Sequence, residues 1–391
     1  MSNVFPCGYY EVGDNKFFFK NQALYESAVT GKPMRWDFND QCWSLYLNNN
    51  RHLLGTRSLD ELYKQRALQL RDKYDYLILN YSGGADSHNI LMTFLNNNIK
   101  LDEIYVQYSK SVDTVIYTPN MHNRDAENIH SEWDFVIKPA LEMVSATHPD
   151  IKINIHDVFE KPIEKLLNDD TMLYAGHYTG AFEILRQTSH SSSIPELERQ
   201  GKTVADIYGI DKPVVLVKDN NLVMFFTDIA ANVARHSHSV NSDGNSRYGY
   251  STCNTELFYW SIDMPEIAFE QAYKHYLYFK ENPHMLSLVD VAGISSNDHV
   301  RQEAMRRLSI DLIYTTWNHD KFQVNKPMPL SQAGRTRDRL YLNSPEFSRF
   351  IEIWNHHSAS WNTVHKSSNY VESLNRPKMM ISSIFTLGNV I

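Results

Sequence analysis

The chain predicts an α/β fold: a parallel sheet flanked by helices, followed by a mostly helical C-terminal region. Three observations carry that prediction. From residue 71 on, short apolar runs alternate with stretches of helical periodicity, as strands joined by crossover helices do. The first of these runs passes through a glycine pair straight into a helix. Beyond about residue 256 the apolar spacing becomes helical.

Residues 1–70 read as an α+β lead segment. It opens on a short aromatic strand, Lys16-Phe17-Phe18-Phe19, and closes in a helix over SLDELYKQRALQLRDKY. There Ser58 is the N-cap and Glu61, three residues on, completes a capping box. Residues 71–255 form the core unit. Tyr76-Leu77-Ile78-Leu79 is its first strand, with a turn and a helix over 86–96 behind it. A second strand spans 101–108, a helix 128–146, and a third strand of alternating polarity 151–158. Runs at 213–217 and 222–226 flank Lys218-Asp219-Asn220-Asn221, a strand pair with a turn. In residues 256–391, Asp263 is placed to cap a helix with Pro265 in its first turn, ending before Pro283. Further helices are expected at 297–307 and 345–361, with the loop NKPMPLSQAGRTRDR between them.

Composition bounds the function. Of 391 residues 42% are hydrophobic, enough for a buried core and more than disordered chains carry. Acids outnumber bases by 46 to 38, which argues against attachment to nucleic acid by bulk positive charge. The three cysteines, Cys7, Cys42 and Cys253, are too scattered for a zinc ribbon or a disulfide scaffold. No run of eighteen apolar residues occurs, and the first residues lack a basic stretch leading into an apolar one. A soluble, cytoplasmic protein with no membrane partner is expected. With 23 tyrosines, many elements should be anchored by large amphipathic rings. Glycine is scarce, 15 in all against a usual share of about 7%, so the adjacent Gly83-Gly84 calls for a reason.

That reason is chemical. Tyr81-Ser82-Gly83-Gly84-Ala85-Asp86-Ser87 links a strand to a helix. Glycines there let the backbone turn tightly and approach a ligand, while successive amides and the helix N-terminus make an anion-binding concavity. Two serine hydroxyls add donors. Asp86 would repel a bare phosphate, so it either meets a bridging Mg²⁺ or caps the helix. Gly201-Lys202-Thr203 imitates the end of a Walker A loop, but Glu196 stands where its first glycine is needed and a helical stretch precedes it.

SGGADS at 82–87 resembles the SGGxDS signature of the PP-loop ATP pyrophosphatases, which include asparagine synthetase, GMP synthetase, NAD synthetase and tRNA-lysidine synthetase. The resemblance covers about residues 71–260. It implies a five-stranded parallel sheet of the adenine nucleotide α-hydrolase kind, with ATP and Mg²⁺ as cofactors. It further implies adenylation of an acceptor with release of pyrophosphate, then attack by a nitrogen nucleophile to form an amide- or amidine-type bond. By the same resemblance Ser82, Gly83, Gly84, Ala85 and Ser87 would hold pyrophosphate, Asp86 would hold magnesium and serve catalysis, and the backbone at Val106-Gln107-Tyr108 would meet adenine.

Departures narrow the branch. Ala175-Gly176-His177 keeps the glycine and histidine of a motif found in tRNA-modifying members but not its acids, so His177 is a candidate nucleotide contact or a helix-start histidine. Thr255-Glu256-Leu257-Phe258 stands where the asparagine-synthetase branch has an aspartate first. Cys7 has six residues before it, unlike the N-terminal nucleophile of a fused glutaminase, and leaves ammonia or an amine as nucleophile. His236 and His238 read as solvated histidines, and Lys326, Arg335, Arg337 and Arg339 as a basic loop able to meet triphosphate or a nucleic acid backbone. Two other readings stay open: an enzyme modifying bases of RNA or DNA, and a nucleotide-binding module without turnover. A homo-oligomer is compatible with all three.

Overall fold

The computed structural model describes residues 5–18, 20–108, 133–157, 191–210, 212–228, 253–289, 299–319 and 380–391. The N-terminal segment forms an antiparallel sheet of β1 (Tyr9–Val12), β2 (Asn15–Phe17) and β3 (Met34–Asp37), in the order β2-β1-β3. Helices α1 (Lys20–Thr30), α2 (Asp40–Asn50) and α3 (Leu59–Lys73) accompany it. The aromatic strand expected at 16–19 is thus the last member of a hairpin. At α3 the cap is as read: Ser58 Oγ accepts from the Glu61 amide at 3.2 Å.

The core is α/β. Strands β4 (Tyr76–Asn80), β5 (Glu103–Tyr108), β6 (Lys152–Asp157), β7 (Val204–Tyr208) and β10 (Cys253–Leu257) form one sheet. Their order is β6-β5-β4-β7-β10 and every ladder is parallel. Helix α4 (Ala85–Asn96) joins β4 to β5, and α5 (Lys138–Thr147) precedes β6. A π-helical turn, Trp133–Ile137, leads into α5. The helix expected over 128–146 is described only from that turn on, and its first residues lie outside the described ones. The short helix α6 (Ile194–Arg199) precedes β7.

The two faces of this sheet differ. Leu77, Leu79, Ile104, Val106, Ala205 and Ile207 join one large apolar cluster with α3, α4 and α5. On the other face Ile78, Tyr105, Val204 and Cys253 pack against Ile194 and Leu197 of α6. This second face also buries Glu103 and Asp206. Glu103 accepts from Ser191 and Ser193 (2.6 Å), Asn154 (3.0 Å) and Tyr76 (3.2 Å), so its charge is fully hydrogen-bonded. Asp206 accepts from Asn80 at 2.6 Å and Tyr208 at 3.2 Å.

A third sheet, β11-β9-β8, is built from β8 (Val214–Lys218), β9 (Asn221–Phe225) and β11 (Phe385–Asn389). The β8–β9 turn is the predicted one. Asp219 and Asn220 both have positive φ, 49° and 62°, as a two-residue hairpin requires and as these residue types tolerate. β11 departs from the helical reading of the chain's end: an alternating strand returns to pair with β9, and Arg51 binds the Thr386 and Leu387 carbonyls at 2.9 and 3.0 Å.

After β10 come α7 (Glu266–Glu281) and α8 (His299–Ile313). Pro265, not Asp263, occupies the cap position of α7, and the Asp263 carboxylate instead takes Lys73 at 3.3 Å. Burial tends to raise the Glu256 carboxyl. Arg66 at 2.6 Å, Tyr74 and Lys73 at 2.9 Å outweigh it and hold the group below the usual range, fastening α3 to β10. Glu256 is therefore a structural anchor, and Thr255 has no metal-binding company among the described residues. The segment 345–361 and the loop before it lie outside the described residues.

Candidate functional site

β4 continues into α4 and β5, which lies on one side of it, whereas β7, arriving by way of α6, lies on the other. Chain connections thus diverge between β4 and β7. In open parallel sheets such a divergence leaves a crevice beyond the carboxyl ends of the strands, where ligands bind. Ser82–Ser87 emerges from β4 at this point.

The loop is built by its own short side chains. Gly83 has φ +75°, a left-handed conformation that glycine adopts at no steric cost. Ser82 Oγ accepts from the Gly84 amide at 3.3 Å, and Ser87 Oγ donates to the Gly84 carbonyl at 3.2 Å while accepting from the Ser82 amide at 3.2 Å. The two hydroxyl oxygens are 3.2 Å apart. Gly84 is the N-cap of α4, in extended backbone and without a side-chain cap. The first helical bond runs from the His88 amide to the Gly84 carbonyl at 2.9 Å. The amides of Ala85, Asp86 and Ser87 therefore precede the helical ladder and lie at its positive end. Of the two roles open to Asp86, capping is corrected: the cap is two residues earlier, at Gly84.

Behind the loop lies Gly209, just past β7. A Cβ there would stand 3.1 Å from Asp86 C and Ser87 N and 2.9 Å from the Ile90 side chain, so a bare backbone is needed for the close approach. Three residues on, Lys212 places Nζ 2.7 Å from Asp86 Oδ1 and 5.5 Å from the centre of the Tyr314 ring. Tyr314, just after α8, donates to the same Oδ1 at 2.6 Å, and Tyr259 donates to the Asp86 carbonyl at 2.8 Å. Burial, then the Asp86 charge for Tyr314 and Tyr63 for Tyr259, push both phenols well above their ordinary range, so they remain donors at any physiological pH.

Val106 and Gln107 lie at the end of β5, beyond Tyr105, the last residue paired with β4. Val106 is buried in the core, so only its main chain can face the crevice. His177, His236, His238, Lys326, Arg335, Arg337 and Arg339 lie outside the described residues. Gly201 ends α6 with φ +71° and Thr203 binds Asp75 at 2.8 Å, a helix stop and not a phosphate loop.

Gly209, Lys212, Tyr259 and Tyr314 were not legible as site residues. Gly209 alone left a trace, as a glycine directly after an apolar run in a glycine-poor chain.

The arrangement can receive an anion on the loop amides, with one carboxylate beside it. Magnesium bound to phosphates needs only one or two protein carboxylates, and Asp86 can supply one where Lys212 yields its place. Among the described residues there is no cluster of three or more His, Cys, Asp or Glu able to hold a metal by themselves, and no helix long and apolar enough to cross a membrane. Compared with family models, with curated proteins and with solved structures, the chain matches none.

Proposed function

We propose that this protein is an ATP pyrophosphatase of the PP-loop kind that adenylates an acceptor and joins it to a nitrogen nucleophile. The observation that carries this reading is the position of SGGADS: a glycine loop with positive φ at Gly83, opening a helix at the divergence point of a five-stranded parallel sheet. A phosphate chain there would be met by main-chain amides and the helix dipole.

In this reading Ser82, Gly83, Gly84, Ala85 and Ser87 hold the β- and γ-phosphates. An acceptor oxygen attacks the α-phosphorus, the α–β bridge breaks, and pyrophosphate leaves with its electron pair. The loop amides stabilise the charge growing on that leaving group because they are oriented before the reaction begins. The β5 end at Val106 and Gln107 supports the adenine side through its main chain. Magnesium, held by Asp86, would neutralise part of the phosphate charge.

The experiment is incubation of the protein with ATP, Mg²⁺ and an extract of candidate acceptors. AMP and pyrophosphate are the expected products, and ADP with phosphate would sink the proposal. ATP binding without turnover under all conditions would turn the reading into a nucleotide-sensing module. Gly83→Val should abolish ATP binding by calorimetry, since a β-branched residue at φ +75° is strained and fills the cradle.

A further inference from the structure

The Asp86 carboxylate is a meeting point of three parts of the chain. It belongs to the loop, its Oδ1 takes Lys212 from beyond β7 at 2.7 Å, and the same oxygen takes Tyr314 from beyond α8 at 2.6 Å. A carboxylate oxygen has two lone-pair directions, and two donors use both. A cation binding this oxygen directly must displace one of them.

The two donors differ in what a cation would do to them. Tyr314 is neutral, fully buried, and packed against the Tyr259 ring at 5.4 Å, so it neither repels a cation nor has room to leave. Lys212 carries a positive charge on a flexible four-carbon stem, and its side chain is 14% exposed where that of Asp86 is 24% exposed. Like charge and mobility both select Lys212 as the donor that leaves. The loop amides at the start of α4 adjoin Asp86, so a phosphate chain seated on them is the nearest anion to which the released ammonium can turn.

We infer that Lys212 and a divalent cation are alternative occupants of Asp86 Oδ1, and that Lys212, once displaced, moves its charge onto the phosphate chain. The inference rests on the proposed ATP-dependent function. It makes Lys212 a positioning residue in the metal-free protein and a phosphate partner in the loaded one. It also explains a carboxylate next to an anion cradle: in the absence of metal the lysine cancels a charge that would otherwise repel the incoming phosphates.

The consequence is a pair of opposite effects, which a merely structural lysine does not produce. In Lys212→Met, Mn²⁺ alone, followed by electron paramagnetic resonance, should bind about tenfold more tightly than to the native protein, because its competitor is gone. Inorganic pyrophosphate without metal, followed by calorimetry, should bind about tenfold more weakly, because a cationic partner is gone. Lys212→Arg should restore pyrophosphate affinity, and Asp86→Asn should lose the Mn²⁺ site. If Lys212→Met does not fold, Lys212→Gln carries the same two measurements.

Weakening of both ligands would mean that Lys212 only props the loop, and no change in either would mean that it touches neither; each result overturns the inference while leaving native ATP binding intact. A native protein that binds neither ATP nor pyrophosphate would overturn the proposed function, and this inference with it.

Discussion

The lysine–aspartate pairs Lys20–Asp228 and Lys212–Asp86 both cross the fold, and they differ in their surroundings. Lys20 of α1 meets Asp228, just past β9, at 2.5 Å, with the side chains 1% and 0% exposed. Asp228 also accepts from the Tyr10 hydroxyl at 3.0 Å and the Met380 amide at 2.9 Å. This pair ties the N-terminal sheet to the returning C-terminal segment. Lys212–Asp86 has a comparable distance, 2.7 Å, but both side chains are partly exposed. Distance does not separate the two pairs; solvent access does. In the dry pair neither ion has water to return to, whereas in the wet pair each can exchange its partner for water.

The largest effect is expected at the dry pair. Lys20→Met should destabilise the fold by about 3–5 kcal/mol, because it leaves the Asp228 charge buried without its ammonium. Denaturant midpoints measure this. A loss below about 1 kcal/mol would place the pair in the class of the wet one.

The second prediction uses a buried acid with no basic partner at all in its described hydrogen bonds. Burial, and then the Glu103 charge, raise the Asp206 carboxyl to about 7, although Asn80 and Tyr208 bind it. Folded Asp206 thus keeps its proton in a range where the unfolded chain releases it. Stability should fall as pH rises from about 4 to about 7 and level off above that, and the loss between pH 5 and pH 9 attributable to this group is about 2–3 kcal/mol. In Asp206→Asn that loss should vanish, as urea unfolding at the two pH values will test. A native protein equally stable at both would show that Asp206 stays ionised, as a paired aspartate does.

The smallest stability effect is expected at the wet pair. Lys212→Met should cost no more than about 1 kcal/mol, since water replaces the lost ammonium at a partly exposed carboxylate. A loss as large as that of Lys20→Met would erase the distinction between the two pairs.

How much could be read in advance follows from sequence distance. β4, the 82–87 loop and α4 were legible because a strand, a glycine turn and an amphipathic helix each obey rules within ten residues. The Ser58–Glu61 cap and the Asp219-Asn220 turn are equally local. β7 and β10 are not legible in the same way. Asp206 interrupts the apolar run of one and Glu256 that of the other, and each acid is buried by virtue of groups far along the chain, Asn80 for the first and Arg66 for the second. Without those partners the same residues would read as exposed loop. β11 was missed for a related reason, since a strand pairs with whatever edge is offered, and its partner β9 lies far earlier in the chain.

At the site the division is the same. The amino-acid sequence alone determined the glycine turn and the helix start at 82–87, because glycine freedom, serine hydrogen bonding and a helix start are properties of consecutive residues. It also determined that Asp86 sits in the first turn of that helix. Only the tertiary structure decided what faces Asp86: Lys212 reaches it across 126 positions and Tyr314 across 228. No local rule connects such positions. They meet because β7 must lie beside β4 in the parallel sheet, Gly209 allows its end to pass against the loop, and α8 packs on α7 with Tyr314 buried at its end. Packing of whole elements, not the preference of any one of them, sets the charge that the loop presents.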